Sequence, residues 1–218
     1  MNELIFFLHI WIVLAFALGA LRLGQAALTA FIGLQGVLAN LFVVKQMSLF
    51  GLTVTCSDVF SIGGILSLNL LQEYFGKDAA KRAVNISLGA LLFFALMSQI
   101  HLFYQPAPFD ATHGAFQDIF SSSLRIVFAS LATFYLVQQW DVRFFPYLKG
   151  KLPLRVGLSL FLSQLLDTAL FSVLGLYGLV ESLFDIMFMS FLIKCLLILV
   201  SAPFTVFAKR FVKNAIPI

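Results

Sequence analysis

Residues 58–82 read DVFSIGGILSLNLLQEYFGKDAAKR, and the rest of the chain is interpreted outward from this stretch. An apolar segment carries Asn69 and Glu73 four residues apart and then runs into Gly76 and three basic residues. On an α-helix, residues at i and i+4 lie on the same face. We therefore predict a helix that presents an amide and a carboxylate to one neighbour, as a wall of a small-molecule site. The alternative is that Glu73 merely ends a membrane span in the headgroup region.

The composition places the chain in a membrane. Of its 218 residues 61% are hydrophobic and 11% are charged, whereas soluble domains have about 25% charged residues. Several apolar runs reach the roughly 20 residues that cross a bilayer. We predict an all-α polytopic membrane helix bundle that forms a single integral membrane domain over residues 1–218. The predicted loops are too short to hold a separate soluble catalytic domain.

Seven transmembrane helices are predicted from the apolar runs. They cover residues 4–21, 26–44, 55–74, 83–104, 120–139, 155–177 and 184–208. The polar stretch 105–119, which contains two prolines, is predicted to be an external loop.

The basic residues predict the orientation of these helices. Eleven of the fourteen Lys and Arg residues fall in or beside the segments that follow the first, third, fifth and seventh spans, and the opposite loops hold Lys45 alone. Because basic residues gather on the cytoplasmic side, we predict the N-terminus outside and the C-terminus in the cytoplasm. The same rule explains the net charge of +4, so no nucleic-acid partner is expected.

Three charged residues are predicted to lie at membrane depth. Arg125 is early in the fifth span, Asp167 is near the middle of the sixth, and Lys194 is near the middle of the seventh. Charge at this depth is costly and usually faces a cavity or a partner. Gln164 precedes Asp167 by three residues and so shares its face.

A simpler interpretation applies to each polar residue taken singly. Amides such as Asn40 and Gln138 often bridge membrane helices as packing contacts, and Asp167 could pair with Lys194 or Arg125 only to fix helix register. Four acidic residues at span ends are predicted to be solvated. They are Asp58, Asp141, Glu181 and Asp185.

The polar residues taken as a set favour a binding site. They come from four helices, and together they supply donors, acceptors and both signs of charge, which suits a heterocycle with a polar edge. The set is Asn69, Glu73, Arg125, Gln164, Asp167 and Lys194. No HExxH or GxSxG motif occurs in the sequence, so an enzyme is not expected. His9, His101 and His113 lack the spacing of metal ligands, and we predict neither a metal site nor a cofactor.

Four ordered stretches carry a resemblance to a known family. They are LNLLQEYFGKDAAKR (68–82), SLRIVFASLATFYLVQQWDVRFF (123–145), LFLSQLLDTALFS (160–172) and FLIKCLLILV (191–200). The chain resembles the queuosine precursor transporter family of bacterial membrane proteins, also described as vitamin-uptake-like, from about residue 35 to residue 210.

The family's polar pattern falls on specific positions of this sequence. Its acidic-xxx-Glu-x-(Tyr/Phe)-Gly motif falls on Asn69, Glu73, Phe75 and Gly76, with Asn69 where the family usually has Asp, which puts a cation or proton role for this position in doubt. The other matching positions are Asn40, Arg125, Gln138, Asp141, Gln164, Asp167, Thr168 and Lys194.

The resemblance implies import of a 7-deazaguanine, either a cyano or aminomethyl precursor or queuine, for tRNA modification. It also implies a six-helix core, here residues 26–208, with residues 4–21 as an extra N-terminal helix, in the plasma (inner) membrane of a bacterium. On this reading Glu73 and Asp167 accept hydrogen bonds from the substrate, Lys194 and Arg125 contact its carbonyl, and Asn69 and Gln164 orient its ring.

Two other functions stay open from the sequence. The chain could be the substrate-capture subunit of a multi-component vitamin importer that needs an energising partner, or a non-transporting membrane assembly protein. The preferred deazapurine, the coupling ion and a homo-oligomeric state are also left open.

Overall fold

The computed structural model describes residues 1–120, 124–178 and 183–212. Within these ranges the chain forms eight α-helices and one β-hairpin, in the order given next. They are α1 (Asn2–Leu23), α2 (Gln25–Phe42), β1 (Gln46–Leu49), β2 (Leu52–Thr55), α3 (Asp58–Phe75), α4 (Lys77–Leu102), α5 (His113–Phe120), α6 (Leu124–Phe144), α7 (Leu152–Phe171) and α8 (Leu183–Phe204).

The prediction of an all-α membrane bundle is confirmed in its main outline. Five of the described helical segments are long and apolar enough to cross a membrane, and α5 with α6 would make a sixth span bent by 58°. The helix α3 is not among them, since polar side chains interrupt its apolar surface. The count of seven spans and their orientation therefore stay predictions.

The helix α3 lies at the centre of the bundle and packs against helices on every side. Two adjacent glycines, Gly63 and Gly64, leave two consecutive positions of α3 without a side chain. A Cβ atom on Gly63 would lie 2.6 Å from Cγ1 of Val13 and 2.9 Å from Nε2 of Gln35. Small residues let membrane helices approach closely, so this glycine allows α1 and α2 to pack on α3.

The basic residues after α3, which are Lys77, Lys81 and Arg82, belong to the helix α4. The helix therefore begins six residues before residue 83, where the predicted span starts. Gly76 alone separates α3 from α4, and its φ of 87° lies in a region that residues with a Cβ rarely adopt. The chain therefore turns within one residue, and α4 begins at Lys77.

A hairpin between α2 and α3 was missing from the prediction. Strands β1 and β2 pair antiparallel, with Leu49 opposite Leu52. The two turn residues, Phe50 and Gly51, both have positive φ, as a two-residue type I′ turn requires. Residues 45–54 were predicted only as a connection between two spans, with no strands. The predicted external loop 105–119 likewise contains most of the helix α5.

The bundle has two distinct ends. At the first, called the hairpin end, α2 finishes, α3 starts, α7 finishes and α8 starts, and the hairpin lies beside them. The opposite end, called the basic end, holds the turns at Gly24 and Gly76 and the connection from α6 to α7, with most of the Lys and Arg residues.

Candidate functional site

A cavity of about 550 Å³ opens among α2, α3, α6, α7 and α8 at the hairpin end, with the hairpin as one wall. This volume is in the range of small-molecule sites in proteins, about 300–1,000 Å³. Polar side chains from every wall line it. They are Asn40, Gln46, Thr55, Ser57, Asp58, Ser61, Ser130, Thr133, Asp167, Thr168, Ser172, Ser190 and Lys194.

An ion pair forms the polar centre of the cavity. Nζ of Lys194 donates to Oδ2 of Asp167 at 2.7 Å and to Oγ1 of Thr168 at 3.1 Å. Lys194 is 5% exposed, and the Asp167 side chain is 24% exposed. Of the two partners considered for Asp167, the structure selects Lys194. The pair joins α7 to α8 and keeps part of the carboxylate facing the cavity.

Asp58 is a correction to the sequence analysis, which expected it to be solvated. It is the first residue of α3 and is only 5% exposed. Its carboxylate lines the cavity and interacts electrostatically with both Lys194 and Asp167. It shares this cavity with Val54 and Thr55 of the hairpin, so the start of α3 lies inside the protein rather than in solvent.

Aromatic rings and an amide complete the lining of the cavity. Asn40 donates to the carbonyl of Gly36 at 3.1 Å and accepts from Oγ of Ser130 at 2.5 Å, so its side chain is held against the wall. Phe134 and Phe171 supply aromatic surface. Such an arrangement can hold a planar ring between apolar faces while polar groups contact its edge.

The end of α7 continues as a π-helical turn, Ser172–Leu176, and Ser172 lines the cavity. Single π turns are frequent at functional sites. Arg125 stabilises this turn, since its guanidinium donates to the carbonyl of Leu174 at 2.9 Å and to that of Tyr177 at 2.8 Å. In the described part of the chain Arg125 does not line the cavity, and its hydrogen bonds satisfy helix-terminal carbonyls.

Glu73 lies at the basic end. It forms an ion pair with Arg155 of α7, with Oε2 2.7 Å from Nη1, and the guanidinium of Arg155 also lies 4.7 Å from the centre of the Phe145 ring. Asn69 is fully buried, and neither amide atom has a hydrogen-bond partner among the described residues. The structure thus does not bring Asn69 and Glu73 to the cavity.

Gln164 and Gln138 form a layer behind the cavity wall. Nε2 of Gln164 donates to Oγ of Ser61 at 3.3 Å, and Ser61 lines the cavity. Gln138 lines a small void of about 40 Å³ that also touches Ser61 and Asp167. These two amides therefore adjoin the cavity through its lining residues. Of the eight predicted site residues, Asn40, Asp167 and Lys194 line the cavity itself.

Asp141 is a second correction, because the sequence analysis expected it to be solvated. It is fully buried and accepts hydrogen bonds from the hydroxyls of Ser159 and Ser163 on α7. Glu181 and the side chain of Asp185, which were expected to be solvated as well, lie outside what the structure describes.

Several lining residues were missed from the sequence. The sequence held one indication that Asp58 belongs to the site. Ser61 follows Asp58 by one helical turn, both residues precede an apolar run, and no basic residue is adjacent to them in the sequence. Residues such as Ser130, Thr133 and Phe171 gave no such signal, because small hydroxyls and phenylalanines recur throughout the chain.

Comparisons with known proteins identify the family of the chain. The family model described as "Putative vitamin uptake transporter" matches residues 55–208. The chain is 33% identical over 215 residues to a Bacillus subtilis (strain 168) protein named "Probable queuosine precursor transporter", covering 95% of this chain and 93% of that protein. None of the solved structures matches the chain. The chain therefore belongs to the queuosine precursor transporter family of vitamin-uptake-type membrane proteins.

Proposed function

We propose that this protein imports a queuosine precursor of the 7-deazaguanine type and that the substrate binds in the cavity at the hairpin end. The observation that carries the proposal is the pairing of Lys194 with Asp167 beside open space of about 550 Å³. A 7-deazaguanine presents a carbonyl oxygen next to ring and amino N–H groups. An ammonium next to a carboxylate offers the complementary donor and acceptors.

The remaining lining fits the same substrate. Phe134 and Phe171 offer flat apolar surface for the ring, and Thr168 and the Asn40–Ser130 pair add hydrogen-bonding groups at the edge. Gln138 and Gln164 support the wall from behind. In this proposal Glu73 and Arg125 act on the bundle rather than on the substrate, since their partners are protein groups. Asn69 is buried away from the cavity lining and does not contact the substrate either.

The proposed setting is the plasma (inner) membrane of a bacterium, with seven spans and the basic end in the cytoplasm. The cavity would then face the outside of the cell, as a transporter needs when it captures its substrate. We also propose that the chain transports alone rather than as a capture subunit. Uptake by the purified protein in liposomes supports this, and binding without uptake contradicts it.

The test of the site is the substitution Asp167→Ala. We expect it to abolish uptake of radiolabelled 7-deazaguanines, because the substrate loses its acceptor and Lys194 loses its counter-ion. Membrane insertion and a monodisperse elution profile show that the variant is folded. Asp110→Ala, in the exposed loop after α4, serves as the matched control. Undiminished uptake by Asp167→Ala contradicts the proposal.

A substrate panel tests the chemical class. It compares guanine, the cyano and aminomethyl 7-deazaguanines, and queuine. We expect the deazaguanines to raise the melting temperature of the purified protein and to compete with one another. A protein that binds none of them, while folded, contradicts the proposed function.

A further inference from the structure

The cavity carries an excess of negative charge. Among the described lining residues three are charged: Asp58, Asp167 and Lys194. Lys194 hydrogen-bonds to Asp167 and Thr168, whereas Asp58 forms no ion pair with any described side chain. Lys45, near the hairpin, is exposed and is not part of the lining. Two carboxylates and one ammonium leave one negative charge uncompensated.

Burial disfavours the charged form of Asp58, and the position of the side chain offsets part of this cost. As the first residue of α3 it lies at the positive end of the helix dipole, which stabilises an anion. Lys194 attracts it across the cavity, and Asp167 repels it. A buried carboxylate without a cation is costly, and its open side faces space that a ligand can fill.

We propose that Asp58 determines specificity by receiving a cationic substituent of the substrate. This inference rests on the proposed function and narrows it. An aminomethyl group on the 7-deazaguanine ring is an ammonium at neutral pH, and it can donate a charge-assisted hydrogen bond to the Asp58 carboxylate. A cyano group is neutral and has no N–H to donate. The cavity therefore favours 7-deazaguanines with an amine on the substituent over neutral ones with the same ring.

The two ends of the substrate would be recognised separately. Asp167, Lys194 and Thr168 contact the polar edge of the ring, which every compound in the class shares. Asp58, on the α3 wall of the same cavity, would contact the substituent. Loss of the Asp58 charge is thus expected to weaken binding of the aminomethyl compound most and so to change the preference among compounds.

The experiment measures dissociation constants of the purified protein for three compounds that differ only in the substituent: aminomethyl, hydroxymethyl and cyano 7-deazaguanine. Hydroxymethyl matches aminomethyl in size without its charge. We expect the wild-type protein to bind the aminomethyl compound about tenfold or more tightly than either neutral compound, as a hydrogen bond to a charged group would give. Equal affinity for all three overturns the inference and leaves the proposed function in place.

The variant Asp58→Asn keeps the shape and removes the charge. We expect its preference for the aminomethyl compound over the two neutral compounds to fall to about twofold or less. Asp110→Asn, which also removes one acid from an exposed loop, should keep the wild-type preference. Equal weakening of all three compounds by Asp58→Asn overturns the inference. If Asp58→Asn does not fold, the wild-type comparison of aminomethyl with hydroxymethyl decides alone. Failure of the wild-type protein to bind any compound refutes the proposed function instead.

Discussion

Two ion pairs of the same length lie at opposite ends of this bundle, and their surroundings differ. Lys194 and Asp167 are 2.7 Å apart beside a large cavity. Glu73 and Arg155 are also 2.7 Å apart, but they lie at the basic end, where the ring of Phe145 covers the guanidinium. The first pair lines open space that a ligand can enter, whereas the second lines neither of the cavities described above.

The comparison teaches that charge at membrane depth does not by itself identify a binding site. Both pairs join α7 to a neighbouring helix, so the energetic cost of placing charge in the membrane does not distinguish them. What separates them is the free volume next to the charged atoms. At the basic end the pair joins α3 to α7, whereas the cavity opens at the hairpin end.

The largest effect is expected from Lys194→Met. This change leaves the buried Asp58 and the part-buried Asp167 without a cation, so ligand binding should be lost and the free energy of unfolding should fall by about 3–5 kcal/mol. Binding by calorimetry and unfolding in detergent measure the two effects. The double variant Lys194→Met with Asp167→Leu removes the pair together and should recover most of the stability but none of the binding. If Lys194→Met binds the ligand as tightly as the wild-type protein does, the two ion pairs do not differ in their role in binding.

A smaller effect is expected from Glu73→Gln. The side chains of Glu73 and Arg155 are 22% and 19% exposed, so losing the charge should lower the free energy of unfolding by about 1–3 kcal/mol. Ligand affinity should stay within about threefold of the wild-type value, a difference under ~0.7 kcal/mol. The charge-swapped variant Glu73→Arg with Arg155→Glu is the control and should regain part of the stability. If Glu73→Gln abolishes ligand binding while the stability is unchanged, the result supports the substrate contact of Glu73 that was predicted from the sequence.

The smallest effect is expected from Lys81→Ala, at the surface of the basic end. Lys81 and Asp78 are 3.6 Å apart, with side chains 49% and 84% exposed. Exposed pairs of this kind contribute little, so unfolding should change by no more than ~0.5 kcal/mol and binding should not change. A loss above ~1 kcal/mol would show that the charges at this end act as a network, which would weaken the contrast drawn above.

Much of the bundle followed from the sequence, within limits that particular helices illustrate. The predicted span 55–74 matches α3 closely, because the apolar run and the helix end together at Gly76. By contrast, α4 begins at Lys77 rather than 83, and α6 extends to Phe144 rather than 139. Hydropathy marks the part of a helix that lies in lipid, whereas the helix continues into polar flanks while its backbone hydrogen bonds are satisfied.

The candidate site was foreseen only in part. Asp167 and Lys194 were singled out because charged groups in an apolar helix are costly, and Asn40 was included through the family resemblance. Asp58 was predicted to be solvated because it lies at a span end, and the hairpin that forms another wall of the same cavity was not predicted. Asn69 and Glu73 were assigned to the site because they share a helix face, but a shared face does not say which end of the bundle it meets.

By itself the sequence determined that this chain is a membrane helix bundle of a transporter family with a few charged groups held in its interior. Those properties depend on composition, apolar length and local pattern, which do not change with packing. Only the tertiary structure decided which charges meet, that Lys194 takes Asp167 while Glu73 takes Arg155, and that Asp58 faces the cavity. The reason is that pairing and free volume depend on how helices distant in sequence are placed against one another, and no local pattern contains that distance.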